Sequence, residues 1–403
     1  MRLQNVLEKS QNLLFLVFPA VLILKPRLAV NVFTIFLLLL SLGHVYLNKK
    51  LIITFYEKFL LIFLSALLIS IIFKSVDSHL GEILFKRHLR WLFYPTLIGQ
   101  LNIKKEDIKN IIISVSIGIL GYAVRFSKEL LSLKDSKISY LEFFKSSLPW
   151  NHRYLSDYDI PQSALILGAT LVILYYVINV MEDKKYKKYL FFLLIIDTIT
   201  FLGLQSRGMT LVLIILTFLL AVIRKEKIFK IFSGTLAIFV LLLGLYFSNS
   251  SYMKRYENIA NDTSFHARRE VHREAIRIFK NHKLIGVGFH NFSAAQDKRN
   301  YKYLPEYEDP HNQPLKLLCE TGIIGFASYY MLMGSILLVL WKKYKENKYY
   351  LVGILTLLSL LMFENIECMF KSVQSLPYIF FILSICLNKC YKDKIKAKMS
   401  EIF

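Results

Sequence analysis

The sequence predicts an all-α, polytopic integral membrane protein with about twelve spanning helices, and three observations carry that expectation. The 403 residues are 55% hydrophobic with a mean hydropathy of +0.44, outside the range of a soluble domain of this length. Apolar runs near the ~20 residues that cross a ~30 Å hydrocarbon core recur along nearly the whole chain. Lys and Arg then gather in every second short connection, as they do on the cytoplasmic side of a membrane.

Taken in order, the runs lie near 8–24, 28–47, 55–73, 83–101, 109–126, 161–181, 189–205, 208–223, 229–248, 316–340, 349–363 and 372–388. The first lacks a small-residue cleavage site and is followed by further spans, so it reads as an anchor and not as a signal peptide. The fourth is interrupted in its first half by Lys86, Arg87, His88 and Arg90. One set of connections holds Lys49 and Lys50, Lys104 and Lys105, Lys184 to Lys188, Arg224 to Lys227, and Lys342 to Lys345. The opposite set holds few basic groups, among them Lys25, Arg27, Lys74, Arg207 and Lys371. The alternation predicts an even number of spans with both termini cytoplasmic.

Three regions result. Residues 1–248 carry the first nine helices, 249–315 form an outward loop domain, and 316–403 carry the last three helices and a basic tail. A net charge of +22 would suggest nucleic acid in a soluble protein; here it is absorbed by topology, and nucleic-acid binding is set aside. Cys319, Cys368, Cys386 and Cys390 lie in or beside apolar runs with no metal-ligand spacing, and read as small buried residues.

Two outward segments are long, about 127–160 and 249–315. In the second, Ser264 to His282 places Val271, Ala275 and Ile278 on one stripe and Arg269, Arg273 and Arg277 on another. That period predicts an amphipathic helix, entered through Asn261, Asp262, Thr263 and Ser264, all good N-cap residues. Gly286 and Gly288 then end it. Five of the nine histidines fall in this region, at 266, 272, 282, 290 and 311.

Three residues invite chemistry. Arg207 stands between two apolar runs in QSRGMTLVL. It either snorkels to headgroup phosphates or points into a cavity and holds an anion, which a guanidinium fork grips with two hydrogen bonds. Arg268 in the loop helix is a second anion-binding candidate, with His272 one turn along the same face. His311 precedes Asn312 and then Pro314, at the doorstep of a helix containing Glu320. It is either an ordinary loop histidine or a general base suited to neutral pH. No H-E-x-x-H or Asp-rich element suggests a metal, so no cofactor is expected.

These motifs, in this order and on this topology, resemble the O-antigen ligase and polymerase superfamily of bacterial inner membranes. QSRGMTLVL is similar to that family's SRG-type entry to a mid-chain helix. The stretch from Ala267 to Phe292, ARREVHREAIRIFKNHKLIGVGFHNF, is similar to its R-x-x-x-W-x-x-A … G-v-G-x-x-N-F block. HNQPLKLLCETGIIG is similar to its H-N-x-x-L-x-x-L-x-E-x-G-x-x-G block. The likeness spans 205–325; it departs at His272, where the family often has an aromatic residue, and at Lys283, where it has proline.

The resemblance implies a GT-C-like membrane glycosyltransferase whose large loop is periplasmic. Its donor is a glycan on undecaprenyl diphosphate, and its acceptor is a sugar hydroxyl of lipid A–core in lipopolysaccharide biosynthesis. It assigns the essential arginines to Arg207 and Arg268 and the essential histidine to His311, in a metal-independent, inverting transfer. Asn312, Arg153, His272, Glu320, Arg87 and Arg90 are weaker substrate-binding candidates. For Glu320 a helix polar contact competes with catalysis, and for Arg87 and Arg90 a salt bridge competes with a diphosphate contact. The alternative within the superfamily is a polymerase joining lipid-linked repeat units. A lipid-linked glycan transporter stands further off, because no inverted repeat or broken helix is read from the sequence.

Overall fold

The computed structural model describes residues 2–24, 27–74, 76–77, 89–132, 160–180, 183–204, 206–223, 263–297, 309–347, 349–370 and 375–400. Among them every regular element is a helix. The first three apolar runs become α1 (Arg2–Leu24), α2 (Arg27–Asn48) and α3 (Phe55–Lys74). Pro19 disturbs the hydrogen-bond ladder inside α1. The N–H of the next residue, Ala20, is met there by the buried Ser114 hydroxyl at 2.9 Å.

The fourth run departs from expectation. Residues 89–101 do not make a spanning helix: Arg90–Phe93 is a 3-10 turn, and α4 (Tyr94–Gly99) has six residues. Pro95 sits in the first turn of α4, where its missing N–H is harmless. Gln100 closes the segment by donating to the Ile52 and Thr96 carbonyls at 2.9 and 3.0 Å and accepting from the Ile52 N–H. Arg90 is therefore an exposed residue of a turn and not of a span.

The chain continues with α5 (Lys105–Ser132), α6 (Ile160–Val180), α7 (Lys184–Gly203) and α8 (Arg207–Ile223). The run at 229–248 lies outside the described residues. The amphipathic helix expected from Ser264 is α9 (Thr263–Asn281), followed by the single turn α10 (Phe292–Ala295). Then come α11 (Gln313–Tyr344), α12 (Tyr350–Phe363) and α13 (Ser375–Ser400). α13 carries the helix past its apolar part into the lysine-rich tail, whose Lys, Ala and Met are good helix formers.

Among the described residues, six helical stretches are long and apolar enough to cross a membrane: Leu3–Leu24, Ala29–Asn48, Phe55–Phe73, Glu106–Lys128, Pro161–Ile178 and Gln313–Tyr344. Gly208–Leu220, Tyr350–Phe363 and Ser375–Asn388 are apolar but shorter. The architecture is that of a polytopic membrane protein.

By packing, the chain divides into two compact units, one made of Met1–Ile119, Val271–Tyr301 and Pro305–Phe403, the other of Leu120–Glu270 with Lys302–Leu304. In the second unit α6 packs against α7 and α8. In the first, α11 lies along α3 and α12, while α13 packs on α4, α12 and α1. Phe370 is the centre of its aromatic core, with ring centroids 5.2 Å from Tyr329, 5.8 Å from Trp91, 6.1 Å from Phe63 and 6.2 Å from Phe289. Lipid is as apolar as these rings, so close packing and satisfied polar groups hold the helices together, not exclusion from water. This core lies directly beneath the loop that carries His311, because Gln313 accepts from the Phe370 N–H.

Candidate functional site

Two loops of the first unit meet at the start of α11. Asn312 caps the helix, its Oδ1 accepting the Leu315 N–H at 2.9 Å, and Pro314 occupies the first turn. The rest of Asn312 reaches the segment after α12: its Nδ2 donates to the Asn365 carbonyl at 2.9 Å, and its backbone N–H meets Cys368 Sγ at 3.2 Å. Gln313 is buried; its N–H donates to the Glu364 carbonyl at 2.8 Å, and its Oε1 accepts from the Met369 and Phe370 N–H groups at 3.0 and 3.1 Å. Asn312 and Gln313 are thus fastened to 364–370 by one main-chain bond and several that pair a side chain with the backbone.

His311 stands in the middle of this seam with φ +48, a left-handed conformation that costs a non-glycine residue roughly 1–3 kcal/mol. Asp309 stabilises the turn by accepting the His311 N–H at 3.0 Å. The imidazole Nδ1 lies 2.6 Å from Glu367 Oε1, and the ring is 36% exposed. A carboxylate only accepts, so Nδ1 carries the proton, and in the neutral ring Nε2 is the basic nitrogen. That is the arrangement of a base held in one tautomer by a second carboxyl group. Cys368, beside it, is buried, and burial pushes its thiol well above the usual range.

Asp309, His311 and Glu367 each present one ligand atom, all within 4.8 Å of one another, and among the described residues they are the group able to hold a metal ion. The Nδ1–Oε1 spacing is that of a shared proton, whereas two donors on one tetrahedral ion with bonds of about 2.0–2.2 Å lie more than about 3 Å apart.

Glu320, two turns into α11, is fully buried and engaged on the loop before the site. Its Oε2 accepts the His290 N–H at 2.9 Å and its Oε1 the Phe292 N–H at 3.2 Å, with Lys316 Nζ 3.9 Å away. Around it α11 is broken, which corrects the uninterrupted helix expected from 316 to 340. Gly322 takes φ +64 and ψ −168. The break frees the Cys319 and Glu320 carbonyls for the N–H groups of Val287 and Gly288, and the Ile323 N–H for the Lys283 carbonyl. Gly286 and Gly322 face each other so closely that a Cβ on either would lie 2.2 Å from the other segment's backbone. The groups released by the break are thereby taken up by the 283–288 loop, unlike the broken helices of transporters, which turn theirs toward a substrate. Asn291 extends the anchorage by exchanging hydrogen bonds with the backbone of Asp77 beyond α3.

The other expected residues are placed as follows. His272 is half-buried on α9 in the first unit, next to the buried stripe of Val271, Ala275 and Ile278. Arg207 and Arg268 belong to the second unit; Arg207 is the first residue of α8 and Arg268 is half-buried, one turn before His272 on α9. Arg153 and Arg87 lie outside the described residues. Glu320 is engaged on the 290–292 loop, whereas His311 and Asn312 are brought together with a residue that sequence reasoning missed, Glu367. Its signal was faint: an acidic pair, Glu364 and Glu367, just after an apolar run.

Residues 189–330, from α7 to midway along α11, match the family model described as O-Antigen ligase. The match supports the superfamily that the motifs resemble and takes in Arg207, Arg268, His272, His311, Asn312 and Glu320. No curated protein matches the chain.

Proposed function

We propose that the chain is an O-antigen ligase, transferring a glycan from undecaprenyl diphosphate to a sugar hydroxyl of lipid A–core at the periplasmic face of the bacterial inner membrane. The observation that carries this reading is the His311–Glu367 pair at the mouth of a membrane-crossing helix. A lipid-linked donor stays in the bilayer while its diphosphate and sugar emerge at the surface, so its base has to stand where a helix meets water.

His311 Nε2 takes the proton of the acceptor hydroxyl, and the imidazolium that forms is stabilised by the Glu367 carboxylate on Nδ1. The acceptor oxygen forms a bond to the anomeric carbon as the bond from that carbon to the diphosphate oxygen breaks, with inversion. The lipid diphosphate leaves with the electron pair. Arg207 and Arg268 are the groups assigned to that negative charge, because a guanidinium stays protonated and donates in pairs to phosphate oxygens. No step in this scheme calls for a metal.

The test uses the purified full-length protein with a lipid-diphosphate glycan and a lipid A–core acceptor, wild type against His311→Ala. A ligated product in the wild type, lost in the variant and unchanged by EDTA, supports the reading. Loss of product with EDTA assigns Asp309, His311 and Glu367 to a metal and overturns the proton scheme. Glycan chains growing on the lipid carrier without core acceptor make the protein a polymerase. Binding without a covalent product in either assay returns the transporter reading.

A further inference from the structure

α9 presents a basic face that the transfer scheme does not use. Arg273, Ile276, Arg277 and Lys280 fall within about 100° of one another around the helix, opposite the buried Val271, Ala275 and Ile278. Arg277 is neutralised by Glu274, which it grips through two nitrogens. Arg273 and Lys280, with Lys283 in the turn that follows, are exposed and have no ion pair among the described residues.

This face is joined to a helix long and apolar enough to cross a membrane. The turn after α9 is hydrogen-bonded to the break in α11, through Ile323 N–H to the Lys283 carbonyl at 2.8 Å and Ile324 N–H to the Leu284 carbonyl at 3.3 Å. There the apolar side chains point outward: Leu284 is 67% exposed, Ile323 43%, Ile324 45% and Ile276 41%. Three exposed cations without an ion pair among the described residues stand beside four exposed aliphatic side chains, and the turn they share is joined to that helix. The combination suits a boundary where phosphate and acyl chain meet. A soluble polyanion would leave the aliphatic groups in water.

We propose that the Arg273–Lys280–Lys283 face of α9 is a docking surface for the phosphates of anionic phospholipids in the surrounding leaflet, which hold the loop against the membrane surface. Each basic group at an anionic surface contributes a factor of about five, so the three together favour the docked state by roughly 100-fold at low salt. The inference is independent of the proposed transfer reaction.

The experiment reconstitutes the full-length protein in nanodiscs of phosphatidylcholine alone, or of equal parts phosphatidylcholine and phosphatidylglycerol, and follows amide hydrogen exchange across residues 271–284. Exchange is expected to slow in the phosphatidylglycerol discs, and high salt is expected to reverse the slowing. The combined variant Arg273→Gln, Lys280→Gln, Lys283→Gln should lose the difference, while Arg273→Lys with Lys280→Arg should keep it. The lysine–arginine swap serves as the folding control, because it preserves charge on the same helix. Equal exchange in the two disc types overturns the proposal. So does equal protection by inorganic phosphate in phosphatidylcholine discs, which would mark a soluble-anion site.

Discussion

Glu367→Gln isolates what the carboxylate contributes to His311. Glutamine matches glutamate in size, and its Oε1 can still accept from Nδ1, so the fold around 364–370 should survive. What is lost is the negative charge 2.6 Å from the ring, and with it the fixed tautomer, because the new amide group can also donate to Nδ1. A charge-assisted hydrogen bond contributes about 1.5–3 kcal/mol, with the lower end applying to an imidazole 36% open to solvent. If the proton accepted in the transition state leaves an imidazolium there, that energy appears in the barrier and lowers kcat by about 10- to 100-fold. KM for the lipid-linked donor should stay near wild type, since the pair forms no donor contact in this scheme. The assay is glycan transfer to lipid A–core by purified enzyme, followed across pH, with Glu367→Asp as a partial rescue. A Gln variant with kcat within twofold of wild type and an unaltered pH profile would refute the orienting role. A fall in kcat matched by an equal loss of thermal stability would make Glu367 a structural residue only.

Three further outcomes follow from the same geometry. Glu320→Gln replaces one acceptor oxygen by a donor facing a backbone N–H; it should lower the melting temperature in detergent, at a cost of about 1–3 kcal/mol, and leave kcat of the folded enzyme intact. A specific loss of kcat would instead give Glu320 a part in the chemistry. Gly322→Ala places a Cβ 2.2 Å from the Leu284 carbonyl oxygen at φ +64, so the variant should lose the 283–288 contact, read as proteolysis in that turn. Burial pushes the Glu364 carboxyl up to about 8 from its ordinary 4.5, against the opposing hydrogen bond from Tyr329. A carboxyl raised by folding is bound to its proton in the native state, so stability should decline as pH rises from the unfolded value toward 8. Melting curves of Glu364→Gln should lack that part of the pH dependence, and an unchanged slope would count against it.

The elements legible from sequence are those whose cause is local. Hydropathy and helical period depend on residues within a few turns of each other, so the long apolar helices and the face of α9 could be read directly. His311 and Asn312 were legible too, because an Asn followed by Pro before an apolar run is a helix start whatever surrounds it. The rest was decided between segments far apart. Arg90 left its expected span because a short helix opened by Pro95 is ended at Gln100, which bonds to Ile52. Gly322 broke α11 because the 283–288 turn offers partners for the backbone groups that the break releases, and no periodicity within the helix records those partners. Glu367 became the partner of His311 across 56 residues, through side-chain bonds of Asn312 and Gln313 to the 365–369 backbone that sequence spacing does not encode. Short-range patterning determined which residues form helices and where the histidine stands; only tertiary packing decided which carboxylate holds its ring.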